Sequence, residues 1–405
     1  MRRWKPKLLL GLALVLSGGI NLSAKDTAAL FPITEISFSP GFNSTNSAAA
    51  STNASASENW ITNINYSFGF IDQSGAIAIP PNSNWWPMLT EDGQGHFAEG
   101  LEPMQTRWKP GMTFGSEFGY LNARGEFAIA PQFSLALPFS EGLAAVRGKH
   151  GFGYIDHRGK FVIASQFDYA YAFSEGLAEV VDTNHLMGFV DRAGNWVIKP
   201  QFRAYAKCSS FAEGLACVPI NDVRIKFPFE SGSDTKFTWG YINKKGETVI
   251  GFKFKEANAF SEGLAAVEET IGSGYIDKTG AYVIPPKFDL AYNFSEGLAR
   301  VRAGRDMAFI NKKGRIIFTV TNGFWADGFS EGLANVSIRK GSGPETWGYL
   351  NRKGDFVIKP QFQQAKPFYQ GLAKVFFNGQ EGYIDKRGHF VWKGKPNPMW
   401  QPETK

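Results

Sequence analysis

The 405-residue sequence predicts an all-β protein: a tandem repeat array of antiparallel three-stranded meanders stacked as an open, curved, solenoid-like body, with a closed β-propeller-like ring as the alternative. Three observations carry this expectation. Two short motifs recur at regular spacing through residues 60–394. The text between them is rich in Val, Ile, Phe and Tyr and is cut every five to eight residues by Gly or charge. No apolar spacing of i, i+3, i+4, i+7 persists long enough to make a helix.

The first motif, FSEGL or a near copy, occurs eight times, with its Gly at Gly100, Gly142, Gly176, Gly214, Gly263, Gly297, Gly332 and Gly371. The second, of the form GYIDxxG, begins nine times, at Gly69, Gly119, Gly153, Gly188, Gly240, Gly274, Ala308, Gly348 and Gly382, and ends in Gly six residues later each time. The commonest spacings are 17 residues from that end to the next FSEGL Gly and 11 from there to the next GYID, so the unit is 34 residues and the array holds eight to nine of them. Helical hairpin repeats share this period, so the local pattern decides. SEGLAAVRGKHGFGYIDHRGKFVIASQ, from Ser140 to Gln166, reads as short strands bounded by turns.

Each element of the unit follows from its residues. The fourth position of GYIDxxG is Asp or Asn in every copy, from Asp72 to Asp385, and the closing glycines are Gly75, Gly125, Gly159, Gly194, Gly246, Gly280, Gly314, Gly354 and Gly388. Asp or Asn opening a type I turn accepts a backbone N–H beyond it, and Gly takes the positive φ that closes the hairpin. Polar residues spread one per unit do not converge on a cation, so they are turn formers rather than a metal array. The Glu of FSEGL becomes Gln370 in the last copy, which keeps an acceptor and loses a base, so its role is that of a structural acceptor. In the LAxV strand that follows, Ala and Val share a face by alternation. The position between them varies as Ala145, Glu179, Cys217, Arg300, Asn335 or Lys374, which predicts a solvated site. Phe139, Phe173, Phe211, Phe260, Phe294, Phe329 and Phe368 occupy one repeat position and are expected to form the core joining unit to unit.

The preference for an open array rests on length. A four-stranded propeller blade takes about 40–45 residues, and the chain ends on a complete unit, although residues 60–67 could supply a missing strand.

The flanks have other characters. In residues 1–24, Arg2, Arg3, Lys5 and Lys7 precede an apolar run from Leu8 to Leu16 and small residues through Ala24, the order of a secretory signal. The run is shorter than the roughly 20 residues a bilayer span needs, so no membrane span is expected after cleavage; an uncleaved anchor is the alternative. Residues 25–59, rich in Ser, Asn and Ala, are expected to be a disordered tether, and 395–405 a C-terminal tail. The formal charge of +6 includes the four basic residues of the signal, so the remainder is close to neutral and gives no case for nucleic-acid binding.

No catalytic set is visible. The five histidines fall at unrelated repeat positions, no Cys/His spacing suits zinc, and no Ser/His/Asp set or glycine-rich phosphate loop is present. A non-enzymatic protein without metal or cofactor is expected. Cys208 stands where other copies carry Ala, and Cys217 takes the varying position; export permits a disulfide between them, and the sequence leaves that open.

Trp239-Gly240-Tyr241-Ile242-Asn243 with Gly246, Trp347-Gly348-Tyr349-Leu350-Asn351 with Gly354, and the FSEGLA segments resemble the WG-repeat family of bacterial proteins, over roughly residues 66–394. The Trp is often Phe here, as at Phe68, Phe118 and Phe152. The resemblance implies bacterial, often envelope-associated scaffolds and supplies no ligand or catalytic residues. Two functions are in view: an exported scaffold binding protein partners in the cell envelope (periplasm, cell surface or extracellular), or a module binding cell-wall glycan through exposed aromatics. The Trp residues are scattered rather than repeated, which favours the protein partner.

Candidate partner-binding residues come from loop length. The stretch from the FSEGL Gly to the next GYID is 11 or 12 residues in five units but 19, 26 and 16 after Gly100, Gly214 and Gly332. The additions bring Trp108, Lys109, Met112 and Phe114, then Arg224, Lys226, Phe227 and Phe229, then Arg339 and Lys340. Apolar and cationic groups on hairpin tips suit a partner of apolar and acidic character, although tips also tolerate insertion because nothing is buried there.

Overall fold

A computed structural model describes residues 29–39, 63–87, 97–106, 117–203, 210–221, 237–304, 306–339 and 341–396. Nine antiparallel sheets follow one another along these residues. Seven are blades of strands a to d in chain order, and blades 1 and 5 show only b to d among the described residues; in blade 3 the four are Leu135–Ala136, Ala144–Gly148, Gly151–Ile155 and Phe161–Phe167. Strand b carries LAxV and strand c carries GYID. Blades 1 to 9 span residues 31–82, 85–133, 135–167, 169–203, 215–254, 256–288, 290–320, 323–362 and 364–393.

The chain closes on itself, which corrects the expected open solenoid-like array to a nine-bladed β-propeller. Phe31–Ser39 pairs with Asn63–Ile71 in the strand-b place of blade 1, and Ala29, Phe31, Ile33 and Ile71 pack against Leu372 and Tyr383 of blade 9. The Tyr383 hydroxyl donates to Pro32 O at 2.7 Å, 351 residues away. The span 25–59 assigned to a tether thus contains a strand, and the folded body begins before residue 60. Residues 1–28, 40–62 and 397–405 lie outside the described residues, and with them the signal and most of the tether and tail.

The unit also has a fourth strand that the three-stranded meander omitted. Strand a is only two residues long in blades 3, 6 and 9, and a single residue, Asp168, separates strand d of blade 3 from strand a of blade 4. Thirty-four residues therefore suffice for a blade.

Both faces of strand b are covered, because a blade in a ring has a neighbour on each side. Leu143, Ala145, Phe152 and Tyr154 of blade 3 pack on Ala170, Phe173, Ala178 and Val180 of blade 4. The varying position is consequently buried rather than solvated, at Ala145, Glu179, Cys217, Arg300 and Asn335 alike. The repeated Phe139, Phe173, Phe211, Phe260, Phe294, Phe329 and Phe368 are all buried in these joints. Hydrogen bonds cross them too: Tyr154 and Tyr275 donate from the hydroxyl to Tyr171 O (2.8 Å) and Tyr292 O (2.7 Å) of the following blade.

The nine turn glycines have φ between 73° and 90°. Beside Gly280, Asp277 Oδ1 accepts the N–H of Thr279 and Ala281, and Gly280 N donates to Asp277 O. A Cβ built on Gly280 would stand 3.0 Å from Ile250 Cγ2 of the preceding blade, and one on Gly75 would meet Val391 of blade 9. The first Gly of the motif is needed for a different reason. Strand d bulges opposite it, so that a Cβ on Gly153 would lie 2.5 Å from Ile163 O. In blade 7 the pairing Met307↔Val320, Ala308↔Thr319, Phe309↔Phe318 runs without that bulge, which makes room for Ala308.

Candidate functional site

The two ends of the strands define two faces of the ring. FSEGL turns (a to b) and IDxxG turns (c to d) lie on one; the b–c hairpins lie on the other.

On the turn face, each FSEGL Glu reaches forward to the next blade. Glu99, Glu141, Glu175, Glu213, Glu262, Glu296 and Glu331 accept the N–H of Gly142, Gly176, Gly214, Gly263, Gly297, Gly332 and Gly371 at 2.9–3.1 Å. Five of them also meet the residue after the turn Asp or Asn of that next blade: His157, Lys244, Lys278, Lys312 and Lys386, at 2.9–3.1 Å. These Glu residues have φ near 54°, an uncommon conformation for a residue with a Cβ, held by those bonds. Partial burial raises the Glu213 carboxyl, but the Gly263 N–H and Lys278 outweigh it and hold the group below its usual value. Between blades 9 and 1 the pair is neutral: Gln73 Nε2 donates to Gln370 O at 3.0 Å. The geometry is that of a clasp between blades; every carboxylate is spent on a neighbour.

Hairpin length varies around the ring, and among the described residues the longest strands, nine residues each, are strands b and c of blade 1. Strands b and c are five residues each in blades 3, 6 and 9, but seven each in blades 5 and 8. In blade 2, Leu101–Thr106 is extended by a bond from Thr106 N to Glu117 O. In blades 5 and 8 the ladder ends at Asn221↔Phe237 and Arg339↔Glu345, one residue or about 3.3 Å beyond the Gly148↔Gly151 end of blade 3, while in blade 1 it runs on to Ser39↔Asn63. A period of three blades marks the turns: Asn with an acidic residue after the Gly in blades 2, 5 and 8 (Asn122 and Glu126, Asn243 and Glu247, Asn351 and Asp355), and Asp in blades 3, 6 and 9. Phe replaces the motif Tyr in blades 1, 4 and 7, at Phe70, Phe189 and Phe309.

Of the candidate partner-binding residues, Trp108, Lys109, Met112, Phe114, Arg224, Lys226, Phe227, Phe229 and Lys340 lie outside the described residues. Arg339 is exposed at the end of strand b of blade 8, 4.7 Å over the Phe324 ring and 3.7 Å from Glu345. A second stack, missed from sequence because its position was read as solvated, puts the Arg300 guanidinium 3.6 Å from the Tyr292 ring and 4.8 Å from that of Trp325. Glu179, at the same repeat position in blade 4, is buried with no ion pair among the described residues, and burial pushes its carboxyl up to about 8.

Among the described residues, no three His, Cys, Asp or Glu side chains are placed to hold a metal ion. His185 and His389 meet Asp168 and Asp385 singly. Cys217 is buried, with Sγ 3.3 Å from Ala257 O of the next blade; Cys208 lies outside the described residues.

The profile of the WG containing repeat matches residues 118–149, 152–184, 187–222, 239–269, 274–304 and 347–380. The chain belongs to the WG-repeat family. Each matched segment starts within two residues of the first residue of a strand c and runs through strand d into the next blade, so a WG repeat straddles the joint between two blades. Among solved structures, this WG-repeat ring is similar to a eukaryotic initiation factor, at 10% identity over 82% of this chain and 97% of that one, with a TM-score of 0.52. It is also similar to AztD of Citrobacter koseri (10% identity, 91% and 95% covered, TM-score 0.41) and to the WD40 β-propeller domain of Doa1 (10%, 56% and 82%, TM-score 0.31). The first likeness speaks to the fold alone, and the two weaker ones carry no argument. No curated protein matches the chain.

Proposed function

We propose that this WG-repeat propeller is a non-enzymatic scaffold that acts after export, in the cell envelope, and binds a protein partner on its hairpin face. The observation that carries the reading is the set of insertions between the FSEGL and GYID motifs of blades 2, 5 and 8, one in each third of the ring and all at b–c connections on the same face, which blade 1 shares with its own connection of residues 40–62. Trp108, Lys109, Met112, Phe114, Arg224, Lys226, Phe227, Phe229, Arg339 and Lys340 fall in or beside these insertions. The turn face offers less, because its carboxylates are engaged between blades.

A glycan-binding reading draws on the exposed Phe324 and Trp325. Each of these rings already has a guanidinium over one face, which leaves less of it for a sugar. The test is to replace residues 107–116, 222–236 and 340–344 by short turns and to pass the variant and the parent over envelope extract and cell-wall polysaccharide. Loss of a specific envelope protein from a folded variant supports the reading. Retention of that protein puts the surface elsewhere, and capture by polysaccharide alone supports the glycan module.

A further inference from the structure

The joint between blades 9 and 1 is chemically unlike the others. Two side chains of each blade face the following blade at equivalent places: the variable residue of strand b and the residue before the motif Gly of strand c. They are Ala145 with Phe152 in blade 3, Cys217 with Trp239 in blade 5, and Ala266 with Ser273 in blade 6. Blades 4, 7 and 8, like blade 6, carry one polar side chain there: Glu179, Arg300 and Asn335 at the first place, with Met187, Met307 and Trp347 at the second. Blade 9 alone places opposite charges at both, with Lys374 Nζ 3.1 Å from Glu381 Oε1 and side chains only 11% and 9% exposed.

The surface they meet differs from that of the four-stranded blades. In blade 3 the edge of strand b is paired with strand a, Arg147 opposite Leu135 and Ala136 opposite Val146. Thr34 holds the place of Arg147 in the Phe31–Ser39 strand, which has no strand a beside it among the described residues. Blade 9 serves that edge instead: Glu381 Oε1 accepts the Thr34 N–H at 3.2 Å, and the Tyr383 hydroxyl donates to Pro32 O. Against a four-stranded internal blade, whose strand-b edge is already paired, Lys374 and Glu381 would be buried without the Thr34 donor. A buried pair deprived of its hydrogen bonds is costly, and the cost falls on the wrong neighbour only. Such discrimination matters in a chain of nine near-copies, where every blade face is otherwise an approximate match for every other.

We propose that Lys374 and Glu381 form a keying pair that directs blade 9 to the open edge of the Phe31–Ser39 strand and away from the four-stranded blades 2 to 4 and 6 to 8, so fixing the ring at nine blades and keeping it to one chain. The test uses the full chain, unfolded in urea and refolded by dilution. K374A/E381S gives blade 9 the residues of blade 6 at both places. Hydrogen exchange of residues 29–39 should then show two populations, one unprotected and at least a tenth of the total, with oligomers visible by light scattering; blades 3 to 8 should stay protected. The parent should show one protected population and a monomeric mass. K374M/E381Q, which keeps the volume and an acceptor for Thr34 while removing both charges, should also split. A single protected population and a monomeric mass in either variant would overturn the proposal. Protection lost evenly over all blades in both variants would overturn it as well, by assigning the pair to general stability.

Discussion

Gly263 and Gly280 allow the backbone and packing parts of one substitution to be separated. They have nearly the same conformation, φ +86° and +84°, and lie on the same face of the ring. A Cβ on Gly263 would find nothing within 4 Å, whereas one on Gly280 would come to 3.0 Å from Ile250 Cγ2 across the joint between blades 5 and 6. Gly263→Ala should therefore cost only the left-handed conformation, about 1–2 kcal/mol. Gly280→Ala adds overpacking of a joint with little slack, for which about 1 kcal/mol more is expected. Gly280→Val, β-branched, should cost more again. The assay is the urea midpoint of each variant at an unchanged m-value. Equal losses at the two sites would refute the reasoning, since they would show that the turn glycines serve their own hairpins and do not bear on the preceding blade.

Other outcomes follow from single contacts. Glu213→Gln keeps an acceptor for the Gly263 N–H and loses the half-exposed Lys278 pair, so its melting temperature should barely move, whereas Glu213→Ala should cost about 1–2 kcal/mol in denaturation. Tyr275→Phe removes the hydroxyl bond to Tyr292 O and should cost about 1 kcal/mol without loss of fold, since Phe already stands at this place in blades 1, 4 and 7. The Glu179 carboxyl lies at about 8 in the folded protein against 4.5 for its free value. The folded state thus holds this proton more tightly, and the stability it contributes is present below the free value and is lost as pH rises toward 8. The loss is on the order of 3–5 kcal/mol. Melting temperatures taken across this range should fall for the parent and fall less for Glu179→Gln; parallel curves would show that Glu179 is not the group responsible.

The repeat, its strands and its turns were legible because a short strand needs Val, Ile and aromatics in a row and a tight turn needs Asp or Asn three residues before Gly. Ring closure was not. The strand that closes blade 1, Phe31–Ser39, carries no FSEGL wording and is separated from its partner by residues 40–62, so self-similarity did not find it. Strand a of blade 3 is too short to leave a periodic signal. Variation at Glu179, Arg300 and Asn335 looked like solvation because alternation assumes one wet face. In a ring both faces are covered, and variety there reflects differing neighbours. The long hairpins were found from spacing alone, while the Arg300 stack needed Tyr292 and Trp325 brought together from adjacent blades.

The three-blade rhythm of turn residues and motif aromatics has a consequence for how such a chain can change in size. By these residues its joints fall into three kinds, according to which type of blade meets which, with the joint of blades 9 and 1 set further apart by Lys374 and Glu381. Excision of blades 4 to 6 as a block would bring blade 3 against blade 7, a meeting of the same two types as blade 3 with blade 4. Excision of any one blade would create a meeting of types that occurs nowhere in the molecule. The natural currency of insertion and loss in this lineage is the triplet of blades, about 100 residues of text at 34 per unit, and relatives are expected to differ in ring size by threes.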